Sequence, residues 1–148
     1  TTGKPVGMLD LLPYIGKCRV IDARHASSLI QLEDVAHALV NLPARVLIRG
    51  YDKFPQQAFD FQCKALAPEM LWTFAEKGVL LIGTDSASVD PVNSQKMPSH
   101  NVLRLKDMRV LENLFLDEVP PGDYELIALP LKLMRADASP VRAVLREL

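Results

Sequence analysis

Apolar and polar residues follow one another along the first half of the chain in short blocks that read as helix, strand, helix and strand. An apolar stretch from Met8 to Ile15, broken by Pro13, predicts a short helix, and Cys18-Arg19-Val20-Ile21-Asp22 beyond Gly16 has the β-branched content of a first strand. Leu32, Val35, Ala36 and Leu39 recur at helical spacing and predict a helix over 32–39, after which Pro43 precedes the apolar strand Val46-Leu47-Ile48. The best-marked helix runs between Pro68 and Gly78. Proline suits a first turn whose N–H groups have no partner inside the helix. Glu69 complements the positive end of the helix dipole, Lys77 the negative end, and Gly78 permits a left-handed exit. Val79-Leu80-Leu81-Ile82 follows at once, apolar on both faces of its pleat, and is predicted as a buried central strand.

Strand signals take over in the second half. Pro120-Pro121-Gly122-Asp123 is a turn leading into a strand over Tyr124 to Leu129, and Val141 to Leu145 predicts another. Pro13, Pro43, Pro55, Pro91 and Pro98 are placed in connections. Alternating elements with a strand-rich end imply an α/β fold, with helices against a mixed, curved sheet and one domain over 1–148. There is no internal repeat or low-complexity segment.

Bulk properties narrow the function. With 17 Lys+Arg against 18 Asp+Glu, the net charge of −1 supplies no field for a polyanion or an anionic membrane, so nucleic acid is not an expected partner. Cys18 and Cys63 lack metal-ligand spacing and suggest no disulfide framework, which fits a reducing, cytoplasmic setting. Apolar runs such as Leu126 to Leu131 fall far short of the roughly 20 residues that span a bilayer, so a soluble protein is expected. The opening Thr1-Thr2-Gly3-Lys4-Pro5 has no initiator methionine and no capping or strand signal, and reads as an entry in mid-protein.

Chemistry must come from a few positions. Gly83-Thr84-Asp85-Ser86-Ala87-Ser88-Val89-Asp90-Pro91 puts polar groups at the end of the buried strand, a usual place for a ligand in open α/β sheets. Asp85 or Ser88 can orient a ligand or brace a metal ligand there, although spacing alone favours a turn satisfying its own backbone. His100 and, twelve positions on, Glu112 are competent zinc ligands. Glu112 stands among Val110, Leu111 and Leu114, where a carboxylate is costly unless paired or metal-bound; the competing reading is a charge on the outer face of an amphipathic element. His100 alone reads as a solvated loop histidine, and His25 and His37 carry no functional signal. A serine hydrolase is the competing chemistry, with Ser86, Ser88 or Ser99 as nucleophile, His100 as base and Asp85 or Asp90 as orienter; the G-x-S-x-G elbow is absent, and so is any Gly-rich phosphate loop.

Several segments carry a resemblance. Tyr14 to Ile21, Leu66-Ala67-Pro68-Glu69, Ile82 to Pro91, Pro121 to Leu131 and Asp137 to Leu145 resemble the bacterial kynurenine formamidase branch of the cyclase family of metal-dependent hydrolases, in the family's order along essentially the whole chain. The resemblance implies a swivelling β/β/α fold, homodimers, and an arylformamidase that hydrolyses N-formylkynurenine to kynurenine and formate in tryptophan breakdown, at a site holding two metal ions, most often zinc. His100 and Glu112 match the family's two C-terminal metal ligands. The family's N-terminal motif of histidines and an aspartate has no match here, and its proton-transfer histidine is expected before Thr1. The chain then corresponds to the C-terminal part of such a domain, and the alternative reading is a truncated, catalytically inactive piece acting as a structural or interaction module. Trp72, Phe54 and Phe59 are candidates for an apolar pocket around the substrate's aryl ketone, and each fits the core equally well.

Overall fold

The computed structural model describes residues 3–148, so the opening Thr1-Thr2 lies outside it. Its strands are β1 (Ile15–Asp22), β2 (Leu29–Ile30), β3 (Arg45–Arg49), β4 (Ala65–Leu66), β5 (Leu81–Thr84), β6 (Arg109–Leu111), β7 (Gly122–Ile127) and β8 (Val144–Glu147), and its α-helices are α1 (Leu32–Val35), α2 (Pro68–Glu76) and α3 (Pro98–Leu105). Six strands form one sheet in the order β6-β5-β3-β1-β7-β8, and β2 pairs with β4 beside it. The run β6-β5-β3-β1 is parallel, whereas β7 and β8 are antiparallel additions.

The two-residue period of a strand sorts the side chains into two layers. Ile21, Val46, Ile48 and Ile82 point to the face covered by Met70, Leu71 and Phe74 of α2 and by Val102 and Leu103 of α3. Cys18, Val20, Leu47, Leu81 and Leu111 point to the other face, where Tyr14, Leu114, Leu116 and Ala128 from connecting segments cover them. Burial on both sides explains why β3 and β5 read as unbroken apolar runs. It also isolates the Cys18 thiol, whose pKa burial pushes up to about 12.

Arg45 ties the entry of β1 to β3. Its buried guanidinium donates to the carbonyls of Pro13 (2.9 Å), Lys17 (3.4 Å) and Leu12. A Cβ at Gly16, whose φ is +127°, would stand only 3.0 Å from Arg45 Nη1.

Several boundaries differ from the sequence reading. The first strand begins at Ile15, three residues early, because β7 pairs with it from that point. The central strand starts at Leu81, since the Val79 amide is used on the Phe74 carbonyl at the end of α2. The helix predicted over 32–39 is α1, opened by the Gln31 amide donating to the Asp34 carboxylate (2.8 Å), followed by a 3-10 turn at Ala36–Ala38. The last strand lies at Val144–Glu147, displaced toward the C-terminus. The largest correction is α3: Pro98 opens a helix instead of sitting in a connection, and His100 lies on that helix, not in a loop. Its buried residues are Ser99, Val102 and Leu103, too short an apolar pattern to register in the sequence. Among the described residues no helix is long and apolar enough to cross a membrane.

Two outcomes are expected. Phe74→Ala, at a fully buried position, costs about 3–5 kcal/mol in urea denaturation, whereas Trp72→Ala, on the half-exposed face of the same helix, costs under about 1 kcal/mol. Iodoacetamide at pH 8 leaves Cys18 unmodified in the folded protein and labels it after unfolding; rapid labelling in the native state would contradict its burial.

Candidate metal centre

Because β3, β5 and β6 run parallel, their C-terminal ends meet at one edge of the sheet, and the polar segments that follow them are neighbours there. Glu112 directly follows β6. Asn113, with φ +58°, turns the chain back, so that its amide donates to the Ser86 carbonyl (2.9 Å) and that of Leu114 to the Thr84 carbonyl (3.1 Å). Gly83 makes room for this return, since a Cβ there would come within 2.7 Å of Leu114 Cδ1 and collide with Leu47. The Glu112 side chain is thereby held beside the 85–90 segment, where its Oε1 accepts from the Val89 amide (3.0 Å).

His100 is placed by Asp90. The Asp90 carboxylate accepts from the Ser99 amide (2.8 Å) and the His100 amide (3.0 Å), which caps the start of α3, and stands 2.7 Å from His100 Nδ1. Burial pushes the Asp90 carboxyl up, but the two amides and the His100 ring outweigh it and hold the pKa below the usual carboxylate range. An ionised carboxylate only accepts, so the neutral ring carries its hydrogen on Nδ1 and leaves a lone pair on Nε2. That atom faces Glu112 Oε1 at 3.5 Å.

With the ring in its neutral form, two electron-pair donors face one another, and a cation between them suits both. Ligands of these types at about 2.0–2.2 Å from a tetrahedral ion stand roughly 3.3–3.6 Å apart, so the pair fits two corners of a zinc site. Among the described residues no group of three or more His, Cys, Asp or Glu side chains assembles around an ion.

The remaining sequence candidates have other places. Ser88 Oγ accepts from the Asp90 amide (3.1 Å) and steadies the loop that carries this carboxylate. Asp85 does not join the His100–Glu112 pair. It is buried, accepts from the amides of Gly50 (2.9 and 3.0 Å) and Tyr51 (3.0 Å), and so clamps the end of β3 to that of β5. Burial raises its pKa, and the Tyr51 and Gly50 amides offset only part of that rise. The serine triad does not form: Ser99 Oγ donates to the Leu66 carbonyl (2.6 Å), buried Ser86 Oγ has no hydrogen-bond partner, and no serine hydroxyl among the described residues bonds to the His100 ring. His25 and His37 are exposed, and neither forms a side-chain hydrogen bond or ion pair with His100 or Glu112.

Asn113, the residue after Glu112, lines a cavity of about 330 Å³ bounded also by Tyr51, Phe54, Phe59, Asp60 and Asp85. Phe54 and Phe59 thus face a cavity. Trp72 does not; Lys106 Nζ packs 3.6 Å from its ring centroid, and its Nε1 donates to Glu76 (2.8 Å) on the surface of α2.

No family model matches the chain. The kynurenine formamidase of Polaromonas naphthalenivorans is 56% identical over 143 residues, covering 97% of this chain and 63% of the relative. That of Delftia acidovorans is 53% identical over 146 residues, covering 99% and 69%. The chain thus spans roughly two thirds of the length of the curated relatives it matches. Among solved structures, a predicted metal-dependent hydrolase from Bacillus stearothermophilus superimposes with a TM-score of 0.81 at 29% identity, covering 92% of this chain and 65% of that one. A potential metal-dependent hydrolase with cyclase activity gives 0.80 at 29%, covering 93% and 68%. An isatin hydrolase, at 23% identity and a TM-score of 0.75 over 93% of this chain and 62% of that one, shares the fold. With more than half its residues identical to a relative of which it covers 69%, this chain belongs to the kynurenine formamidase family.

Proposed function

We propose that this chain supplies part of the active site of a metal-dependent arylformamidase that hydrolyses N-formylkynurenine to kynurenine and formate in tryptophan catabolism. The observation that carries the reading is the Asp90–His100···Glu112 arrangement, in a chain of this family, with the free ring nitrogen and a carboxylate oxygen facing each other at 3.5 Å. When bound, a pair of zinc ions lowers the pKa of a water and polarises the formyl carbonyl. In this reading His100 offers Nε2 and Glu112 offers Oε1 to a metal. Asp90 fixes the ring's tautomer and orientation and strengthens it as a ligand, as carboxylates behind metal-bound histidines do. Ser88 steadies Asp90, and Asp85 holds the Gly50-Tyr51 turn at the rim.

Two donors leave a tetrahedral shell half filled, so the other ligands and the histidine that protonates the leaving aniline nitrogen are assigned to a part of the complete enzyme outside these 148 residues, consistent with the greater length of the relatives. A homodimer in a reducing, cytoplasmic compartment completes the proposal. The two free, buried cysteines fit that compartment.

In the complete protein, His100→Ala and Glu112→Ala are expected to lower bound zinc and formamidase activity together, by 100-fold or more in activity, with unchanged circular dichroism. Unchanged metal content by inductively coupled plasma mass spectrometry in both variants would sink the assignment. Asp90→Asn keeps an acceptor for the α3 amides but weakens control of the ring, and is expected to loosen zinc about 10- to 100-fold in a chelator competition. Removing metal with 1,10-phenanthroline should abolish hydrolysis and zinc should restore it; hydrolysis that survives the chelator contradicts metal dependence.

A further inference from the structure

The cavity beside the metal centre has an unusual balance of walls. Tyr51, Phe54 and Phe59 present aromatic surface, Tyr51 and Phe54 meeting edge to face at 6.2 Å. Asp60 and Asp85 present carboxylates, and neither lysine nor arginine lines the space. Arg49 donates to the carbonyls of Tyr51 (3.2 Å) and Asp52 (3.3 Å) from behind the loop and is absent from the lining.

We infer that this cavity is a subsite for the ammonium-bearing end of an aromatic ligand, with Asp60 as the group that holds the ammonium. The inference rests on the formamidase reading for its place beside the reacting amide, while its ligand chemistry comes from the cavity alone. Aromatic faces attract cations and accept flat apolar groups, and a carboxylate adds a charge-assisted hydrogen bond. The Arg49 charge acts on Asp85, whereas Asp60 forms no ion pair among the described residues, so an anionic ligand meets an uncompensated carboxylate at Asp60 and is disfavoured there.

Asp60 has capacity to spare. Its Oδ1 accepts from the Gln62 amide (2.8 Å) and its Oδ2 from the Tyr51 hydroxyl (2.8 Å), half of what a carboxylate accepts. It is only partly buried, so an entering ammonium reaches it. Asp85 differs, being buried and committed to three backbone contacts, and it positions the turn. Burial, and then the Asp60 hydrogen bond and charge, raise the Tyr51 hydroxyl's pKa, as expected where the local potential is negative. The segments that shape the cavity also carry the proposed ligands: Ala87 lines it two residues before Val89, whose amide holds Glu112, and Asn113 follows Glu112 directly. The cavity and the proposed metal ligands thus share the segments after β5 and β6.

The test measures binding by isothermal titration calorimetry to the protein as purified. The probes are kynuramine, an aryl ketone with an aliphatic ammonium and no carboxylate, and 4-(2-aminophenyl)-4-oxobutanoate, which has the same aryl ketone with a carboxylate and no ammonium. Kynuramine is expected to bind at least 10-fold more tightly. Asp60→Asn should weaken kynuramine about 10-fold and leave the carboxylate probe unchanged, and Phe54→Ala should weaken both. Equal affinity for the two probes, or unchanged kynuramine binding in a folded Asp60→Asn protein, overturns the inference. Because the readout is binding, a preference for kynuramine without metal-dependent hydrolysis would remove the formamidase reading and leave the subsite standing, and the reverse result would do the opposite.

Discussion

Parallel pairing of β1, β3, β5 and β6 is the constraint on which the rest of this molecule depends. Parallel strands finish at a common edge, so the residues after each strand are brought together whatever their separation in sequence. Asp85 can then accept from Gly50 and Tyr51, 35 and 34 residues away, and Glu112 can hold the amide of Val89. The return of the chain over Gly83 depends on the same packing, because Leu114 settles on the sheet only where β5 presents no side chain.

Within that frame, Asp90 acts on two levels. As an acceptor for the Ser99 and His100 amides it ends the connection after β5 and starts α3; as an acceptor for His100 Nδ1 it decides which ring nitrogen stays free. One buried carboxylate thus couples the local fold to the chemistry proposed for the ring. Its burial costs little, because the two amides and the ring satisfy it on both oxygens.

The two ends of the sheet use charge in opposite ways. At the entry of β1 and β3, Arg45 is buried against main-chain carbonyls and serves architecture. At the other edge, carboxylates gather around the cavity and the His100–Glu112 pair, and the nearby Arg49 is spent on loop carbonyls. Arg24 at the same edge is paired with Asp22 and Asp52.

The amino-acid pattern by itself determined much of the architecture. The doubly apolar runs at β3 and β5, the proline and glycine that bracket α2, and the turn before β7 are short-range signals, so they were legible, with errors at the ends where backbone amides are diverted to neighbouring segments. The segments resembling the formamidase branch could also be read from the chain, and so could His100 and Glu112 as candidate ligands outside those segments. Helix α3 could not, because its first turn is capped by a carboxylate nine residues before Ser99, and no local rule reads that spacing. Whether His100 stood in a loop or against Glu112, whether Asp85 touched the pair, and whether Phe54 and Phe59 rather than Trp72 faced a cavity were decided by the tertiary structure alone. Periodicity tells which face of an element is apolar, and only the packing of distant elements fixes which polar groups meet across their ends.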